Sequence, residues 1–338
     1  MRVDPADDDD VRACHRVQAA AQAVDDPLLP PMSFGVFRVW ALHGWESNPG
    51  ELWFVPGAAP GEALAWYQLE LPDLENRDRA FLMPYVHPAS RRRGIGRELL
   101  RHAADRAAAN GRTVFGGGAA QDSAGDAFAR QVGATPGLVE ARRVLDLRKV
   151  PAGQFARLRE TAAAAAAGYT LVSWTGPTPV EYLGRVAEVF NAMNDAPRDP
   201  GYEDDFWDAD RVRDRADRLL RLAGVRGYSV AALHAATGQI AGLTQVEVDP
   251  QTPEWGFQGL TAVTRAHRGH RLGLLTKAAM LEWLAVAEPK LERIQTGNAA
   301  SNKHMIAVNE TLGYEPVKPG WQFYDLPVAA VGASVVKT

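Results

Sequence analysis

Cysteine is nearly missing from this chain: 338 residues contain one, Cys14. No disulfide can form within it, and there is no Cys-x-x-Cys pair for a metal or for redox chemistry. A cytoplasmic protein is expected. No run of about 18 apolar residues is present, so no transmembrane span is expected. The N-terminus lacks the cationic start of a signal peptide. It runs instead into Asp7 to Asp10, a charge that suits the start of a helix near Val11. Excess positive charge is missing too. With a formal net charge of -4, neither a nucleic-acid backbone nor an anionic membrane is an expected partner.

What is present has the balance of a soluble globular protein, 46% apolar and 23% charged. At about 100–200 residues per domain, the length suggests two. In the first half, helices are expected over 9–24, 96–110 and 126–132. Strands are expected over 36–44, 51–55, 62–71, 79–87, 113–115 and 138–147. Residues 150–168, with an alanine run after Thr161, read as a linker or a connecting helix. The second half repeats the order. Strands fall at 169–174, 228–234, 239–248, 255–264, 293–296 and 321–326, and helices at 179–193, 208–223, 273–287 and 301–312. Each half carries a strand, then an Arg/Gly-rich loop, then a long helix. Arg91 and Arg268 mark the two loops and lie 177 residues apart, as duplication and fusion would leave them.

The first loop reads Val86-His87-Pro88-Ala89-Ser90-Arg91-Arg92-Arg93-Gly94-Ile95-Gly96-Arg97. Glycines 94 and 96 let a bulky anion approach the backbone, and the helix that follows points free N–H groups at it. Arginine at a helix N-terminus opposes the helix dipole unless an anion is present. A pyrophosphate is the natural ligand; the plain alternative is the basic first turn of a surface helix. The spacing is that of neither a dinucleotide-binding Gly-x-Gly-x-x-Gly nor a P-loop. The second loop, Val263-Thr264-Arg265-Ala266-His267-Arg268-Gly269-His270-Arg271-Leu272-Gly273, keeps Val263, Arg268 and Gly273 in the same frame. It puts Arg271 where the middle glycine belongs.

Val86, Pro88, Arg91, Gly94 and Gly96 resemble the signature of the GNAT superfamily of N-acetyltransferases, Gln/Arg-x-x-Gly-x-Gly/Ala after a central strand. In the second half Asn302, Asn309 and Gly313-Tyr314 resemble the segment that follows in that family. The second half as a whole resembles the C-terminal domain of actinobacterial tandem GNAT proteins, some of them tied to antibiotic biosynthesis. The resemblance implies an α/β (α+β) fold of two GNAT-like domains in tandem. Each would be a mostly antiparallel mixed sheet flanked by helices, with a splayed central strand. The domains would be 1–150 and 169–338, joined by a linker at 151–168, with the second catalytic.

The implied activity is N-acyl transfer from acetyl-CoA or another acyl-CoA, up to one per domain, to the amine of a small molecule. Direct attack in a ternary complex is implied, by a monomer or homodimer with no metal. A non-catalytic acyl-CoA-binding or sensing protein is the alternative. The implied CoA ligands are Tyr85, Val86, Arg91, Arg92, Arg93, Gly94, Ile95, Gly96 and Arg97 in the first half. In the second they are Val263, Arg268, Gly269, His270, Arg271, Leu272, Gly273, Asn298 and Asn302, the last of which could equally cap the helix from Lys303.

The tyrosine that protonates the leaving thiolate in many relatives is replaced by Asn309 in the second half and Ala129 in the first. Asp122 stands where the first half should carry the first asparagine. Polar side chains gather in the second half: Glu247, Glu254, Gln258, Thr261, His267, Asn298, Asn302 and Asn309. Glu247 is the first candidate for general base, with a solvent-facing carboxylate as the plain alternative. Asn309 is the second catalytic candidate. Asp195 could bind a cationic amine or merely end a helix.

Overall fold

The computed structural model describes residues 1–4, 7–44, 48 and 50–333. In chain order the elements are α1 (Asp8–Asp25), α2 (Phe34–His43), β1 (Gly50–Pro56), β2 (Ala63–Glu70), β3 (Arg79–Val86), α3 (Ile95–Ala109), β4 (Val114–Ala120), α4 (Ala124–Gln131) and β5 (Thr135–Asp146). They continue as α5 (Gln154–Ala163), β6 (Tyr169–Thr175), α6 (Leu183–Asn191), α7 (Ala209–Arg211), α8 (Arg218–Leu222), β7 (Arg226–His234), β8 (Ile240–Val248) and β9 (Trp255–Val263). The last are α9 (Leu272–Ala287), β10 (Arg293–Ala299), α10 (Lys303–Leu312), β11 (Glu315–Pro316), β12 (Trp321–Pro327) and α11 (Ala330–Ala333). The fold is α/β, with mixed sheet flanked by helices. Two compact units form: residues 1–140, 199–203 and 319–338 make unit 1, and residues 141–198 and 204–318 make unit 2.

Unit 1 orders its strands β1-β2-β3-β4-β12, followed by residues 135–140 of β5. All neighbours are antiparallel except β3 and β4. Helix α3 buries Leu99, Leu100, Ala103 and Ala107 on one face, against Tyr67, Leu69, Ala80, Leu82 and Phe115. Helices α1 and α2 cover the other face, packing Val11, Cys14, Val17, Phe37 and Trp40 on Leu52, Phe54 and Trp66. The acidic start works as its charge suggests: the Asp7 carboxylate accepts from the amides of Asp9 and Asp10.

Residues 36–44, expected as a strand, are helix α2. The Ser33 hydroxyl caps the amide of Val36. Phe37, Trp40 and Ala41 then fall at helical spacing on the buried side, with Phe37 and Trp40 set edge-on to Trp66. A run apolar enough for a buried strand was a buried helix.

The closing strand also differs from expectation. β12, read as the last strand of the second half, lies in unit 1 between β4 and β5, paired antiparallel to both. Asp325 holds the buried Arg79 guanidinium with two 2.8 Å contacts. The Tyr324 hydroxyl donates to Asp126. Leu326, Val328 and Val331 complete the core beneath α3. The glycines of β4 make room for these neighbours: a Cβ on Gly118 would lie 2.2 Å from the Trp321 indole nitrogen.

Unit 2 orders its strands as residues 141–146 of β5, then β10-β9-β8-β7-β6, with β11 paired to Arg143 and Val144. Helix α9 packs Ala278, Met280, Leu281 and Leu284 on Tyr228, Val230, Val246 and Val248. Helix α6 covers the opposite face through Leu183, Val186 and Val189, over Ala231, Leu243 and Ala262. The stretch read as a linker is helix α5, and its Ala162 packs with Leu272 and Leu275 of α9. The single helix expected over 208–223 is broken into α7, a wide turn at Val212–Ala216 and α8. Just past that turn, the Asp217 carboxylate accepts from the amide and hydroxyl of Thr178.

Because β12 lies between β4 and β5 in the unit 1 sheet, a chain ending at residue 150 should not fold cooperatively. It would leave β4 unpaired on one side and uncover Phe115 and Leu99. Circular dichroism with urea titration checks this; a sharp, fully reversible transition of residues 1–150 alone would contradict it.

Candidate functional site

In each unit two parallel strands meet and then part. β3 and β4 pair over Arg79–Phe81 with Val114–Gly116, and β9 and β10 over Trp255–Phe257 with Arg293–Gln295. Beyond these three-residue ladders the edges of Leu82–Val86 and of Gln258–Val263 face a gap in the sheet. An N–H or C=O left open there can receive an extended amide-bearing ligand.

At the end of each parted strand the loops are superposable in their backbone pattern. The amides of Arg92, Arg93, Gly94, Ile95 and Gly96 make no hydrogen bond among the described residues, nor do those of Gly269, His270, Arg271, Leu272 and Gly273. Left-handed backbone occurs at Arg92 (φ 63°) and Gly94 (φ 84°), and again at Gly269 (φ 88°) and Arg271 (φ 52°). The two positions recur at the same 177-residue offset as Arg91 and Arg268. Each loop therefore needs two left-handed residues and places glycine at only one of them. This explains why the glycine of the second loop stands two places earlier than in the first. Successive amides turned this way, at the start of α3 and α9, form an anion-binding concavity.

The first arginine of each loop does not present its fork to that concavity. Arg91 donates through Nη1 and Nη2 to Asp25 at 2.8 and 2.6 Å, and through Nε to the Val86 carbonyl at 3.2 Å. Arg268 repeats the arrangement, with Nε on the Val263 carbonyl at 3.2 Å and Nη2 on Asp195 at 2.7 Å. Arg265 adds a 3.3 Å contact to the same carboxylate. The hydrogen bond from Arg268, with the neighbouring charge of Arg265, holds the Asp195 carboxyl below its ordinary range. Asp195 is thus occupied by loop arginines and not open to a cationic amine. Arg92, Arg93, Arg97 and Arg271 are exposed, and none makes a hydrogen bond or ion pair among the described residues. Those are the guanidinium groups free to meet an anion. His267 is turned the other way: its Nδ1 meets the Tyr169 hydroxyl at 2.8 Å, and burial, then His234 and His270, push its imidazole down. His270 lies against the Ala165 carbonyl at 3.3 Å.

The two gaps differ in their lining. Along β8 and β9 the register shifts by one between Thr244↔Thr261 and Val246↔Gln258, so Gly259 and Leu260 together oppose Gln245. This is a β-bulge on the parted strand. The matching ladder of unit 1, Ala65↔Val86 through Glu70↔Phe81, has no shift. Glu247 of β8 projects from the face opposite Val246 and Val248, the face that α6 covers. It keeps part of its surface in solvent, yet its dense surroundings, with the Asp217 carboxylate nearby, push its carboxyl up to about 7. On β3 the corresponding face carries Phe81, Met83 and Tyr85. Tyr85 stacks on Trp66 at 4.9 Å, so its side chain is committed to the core. Phe81 stacks on Tyr202.

The asparagines behave differently from one another. Asn302 caps α10, accepting from the amide of Met305 at 3.2 Å. Asn309 is wholly buried and donates to Asn298 of β10 at 2.7 Å, while its own Oδ1 has no partner. It stands as a buried polar contact behind β10 and has no acidic proton to give. Sequence reasoning missed Lys277. That lysine sits on the buried face of α9 among Leu281, Leu284 and Met280, 1% exposed. Its signal was a lysine at the core spacing of an otherwise apolar helix.

Residues 22–133 match the acetyltransferase (GNAT) family. Among solved structures the chain is similar to a tandem GNAT protein from the clavulanic acid biosynthesis pathway. They share 29% identity over 97% of this chain and 98% of that one, with a TM-score of 0.79. It shares the fold of a GCN5-related N-acetyltransferase from Sphaerobacter thermophilus (17% identity, 97% and 95% covered, TM-score 0.61). It also shares that of one from Kribbella flavida (13%, 98% and 72% covered, TM-score 0.51). No curated protein matches it in sequence. No helix among the described residues is long and apolar enough to cross a membrane. Fold, loop pattern and these matches together define an acyl-CoA-dependent acyltransferase. Residues 22–133 are thus an acetyltransferase (GNAT) domain, and the chain as a whole is similar to a tandem GNAT protein.

The paired left-handed positions make a stability test. Gly94→Ala and Gly269→Ala should each cost about 1 kcal/mol from backbone strain alone, since a Cβ at either meets nothing within 4 Å. Arg271→Gly should return about as much. Urea unfolding midpoints measure both; identical midpoints would refute the strain.

Proposed function

We propose that unit 2 transfers an acyl group from a CoA thioester to the amine of a small molecule, and that unit 1 binds acyl-CoA chiefly as structure. The observation that carries this is the asymmetry at the two gaps. The parted strand β9 carries a bulge with a carboxyl poised near 7 beside it, whereas the ladder of β3 with β2 runs without a bulge. Acyl transfer to an amine needs a proton taken from the nucleophile, and a base does this best when its pKa lies near the working pH. Glu247 meets that condition. Its unprotonated form would accept the amine proton on the face that α6 covers.

Amides of the bulged strand would hold the thioester arm and polarise its carbonyl. The amides of residues 269–273, with Arg271, would seat the diphosphate. CoA supplies the thioester when bound; the chain supplies position and proton transfer. Asn309 cannot donate a proton to the departing thiolate, so that proton would come from solvent or from the amine itself. Proton donation is worth about 10²–10⁴-fold in rate, so transfer can survive without a dedicated acid.

In unit 1, Trp321 and Tyr202 crowd the glycines of β4, and the face of β3 is apolar. That lining supports binding without chemistry, while its loop has three unpaired arginines to hold the nucleotide. The similarity to the clavulanic acid pathway protein supports a role in secondary metabolism, with an amine-bearing precursor as acceptor.

Steady-state thiol release from acetyl-CoA with a panel of small amines tests the assignment. Glu247→Gln should lower kcat/KM by about 10²–10⁴-fold. It should also abolish the rise of kcat/KM with pH that is expected of the native chain on approaching about 7. Burial raises this carboxyl in the folded chain, so the native protein should lose stability as pH climbs from the ordinary glutamate range through about 7. Glu247→Gln should remove that slope. Gly273→Val, which puts bulk where the diphosphate would sit, should end turnover; Gly96→Val should leave most of it. Full activity in Gly273→Val, or binding of acetyl-CoA with no thiol release under any condition, would overturn the proposal.

A further inference from the structure

We infer that Lys277 is a positioning residue that acts through Gln258 to hold the bulge of β9 in register. With the bulge it holds the backbone that faces the gap. The inference rests on the reading that transfer occurs in unit 2. It starts from a defect in the ladder. Because Gly259 and Leu260 share one place, Gln245 has no single residue paired in register with it. The Gln258 side chain fills that vacancy: its Nε2 donates to the Gln245 carbonyl at 2.6 Å and to the Thr244 hydroxyl at 3.0 Å. The Thr244 and Thr261 hydroxyls, 2.8 Å apart, tie the strands together on the far side of the bulge. The side-chain amide thus replaces the main-chain contact that the extra residue removes.

A primary amide can do this only if its orientation is fixed, since a flip would turn its oxygen against the Gln245 carbonyl. The fixing contact is Lys277, whose Nζ donates to Gln258 Oε1 at 2.9 Å and lies 4.9 Å from the centre of the Tyr314 ring. No other hydrogen bond or ion pair reaches Lys277 among the described residues. Burial pushes its ammonium down to about 7, so both its charged and neutral forms are accessible, and both can donate. An amine at a core position destabilises the chain where leucine or methionine would not. What it supplies is a donor that apolar residues lack.

Unit 1 provides the internal comparison. At the 177-residue offset Lys277 corresponds to Leu100. Before the bulge the offset is one less, and Gln258 corresponds to Leu82. Leu82 and Leu100 belong to one buried apolar cluster, and their ladder runs without a bulge. The polar pair and the bulge are present together in one unit and absent together in the other.

Hydrogen exchange and turnover on the full-length chain test the inference side by side. The variants are Lys277→Met, Gln258→Leu, their double, and Gln258→Glu. In Lys277→Met, peptides covering residues 242–263 should exchange about tenfold faster, the scale of one lost hydrogen bond, while α9 keeps its protection. Thiol release from acetyl-CoA with the amine panel should show kcat down about tenfold, with KM for acetyl-CoA unchanged within about twofold. The double variant should be no worse than either single change. Should Lys277→Met fail to fold, Gln258→Glu gives the same reading, because it keeps an acceptor for Lys277 and removes the donor to Gln245 and Thr244. Unchanged exchange and unchanged kcat in a folded variant overturn the inference. Loss of protection in a chain whose native form releases no thiol sinks the transfer reading and leaves the staple standing.

Discussion

Everything distinctive in this protein follows from main-chain groups deliberately left without partners. A sheet is stable because its ladders close. Here two parallel ladders close for three residues and then stop, and two loops end in runs of amides with nothing to bind. Such groups are tolerated at a solvent-facing gap, and their free N–H and C=O groups match a ligand that brings both amides and phosphates. The remaining side chains can be understood by how they keep the gap from collapsing.

The arginine clamp is the clearest of these devices. In both units the first loop arginine bonds the last carbonyl of the parted strand and a carboxylate from the unit's N-terminal helical region. One guanidinium thereby fixes the strand end, the loop and the entering helix together. A charged residue in an anion-binding sequence motif need not touch the anion. Here it shapes the loop backbone, and the arginines that follow it remain free.

The two units have diverged around this shared frame. One filled the neighbourhood of its gap with aromatic and apolar side chains and kept a regular ladder. The other has a bulge, a carboxyl near neutrality beside it, and a lysine–glutamine contact behind the bulge.

Much of this was legible in the linear chain. The glycine-bearing loops, the helices after them and the order of strands follow from local propensities and spacing, and these act over a few residues. The duplicated arginines announced the repeat. The helix at Phe34–His43 was misread because a short apolar run fits either a buried strand or a buried helix until its neighbours are known. The home of Trp321–Pro327, the commitment of Arg91 and Asp195 to each unit's clamp, the capping duty of Asn302 and the contact between Lys277 and Gln258 were decided by tertiary structure alone. Each depends on which distant backbone or side chain lies within 3 Å. That is set by how the chain closes in space, and no local pattern of residues encodes it.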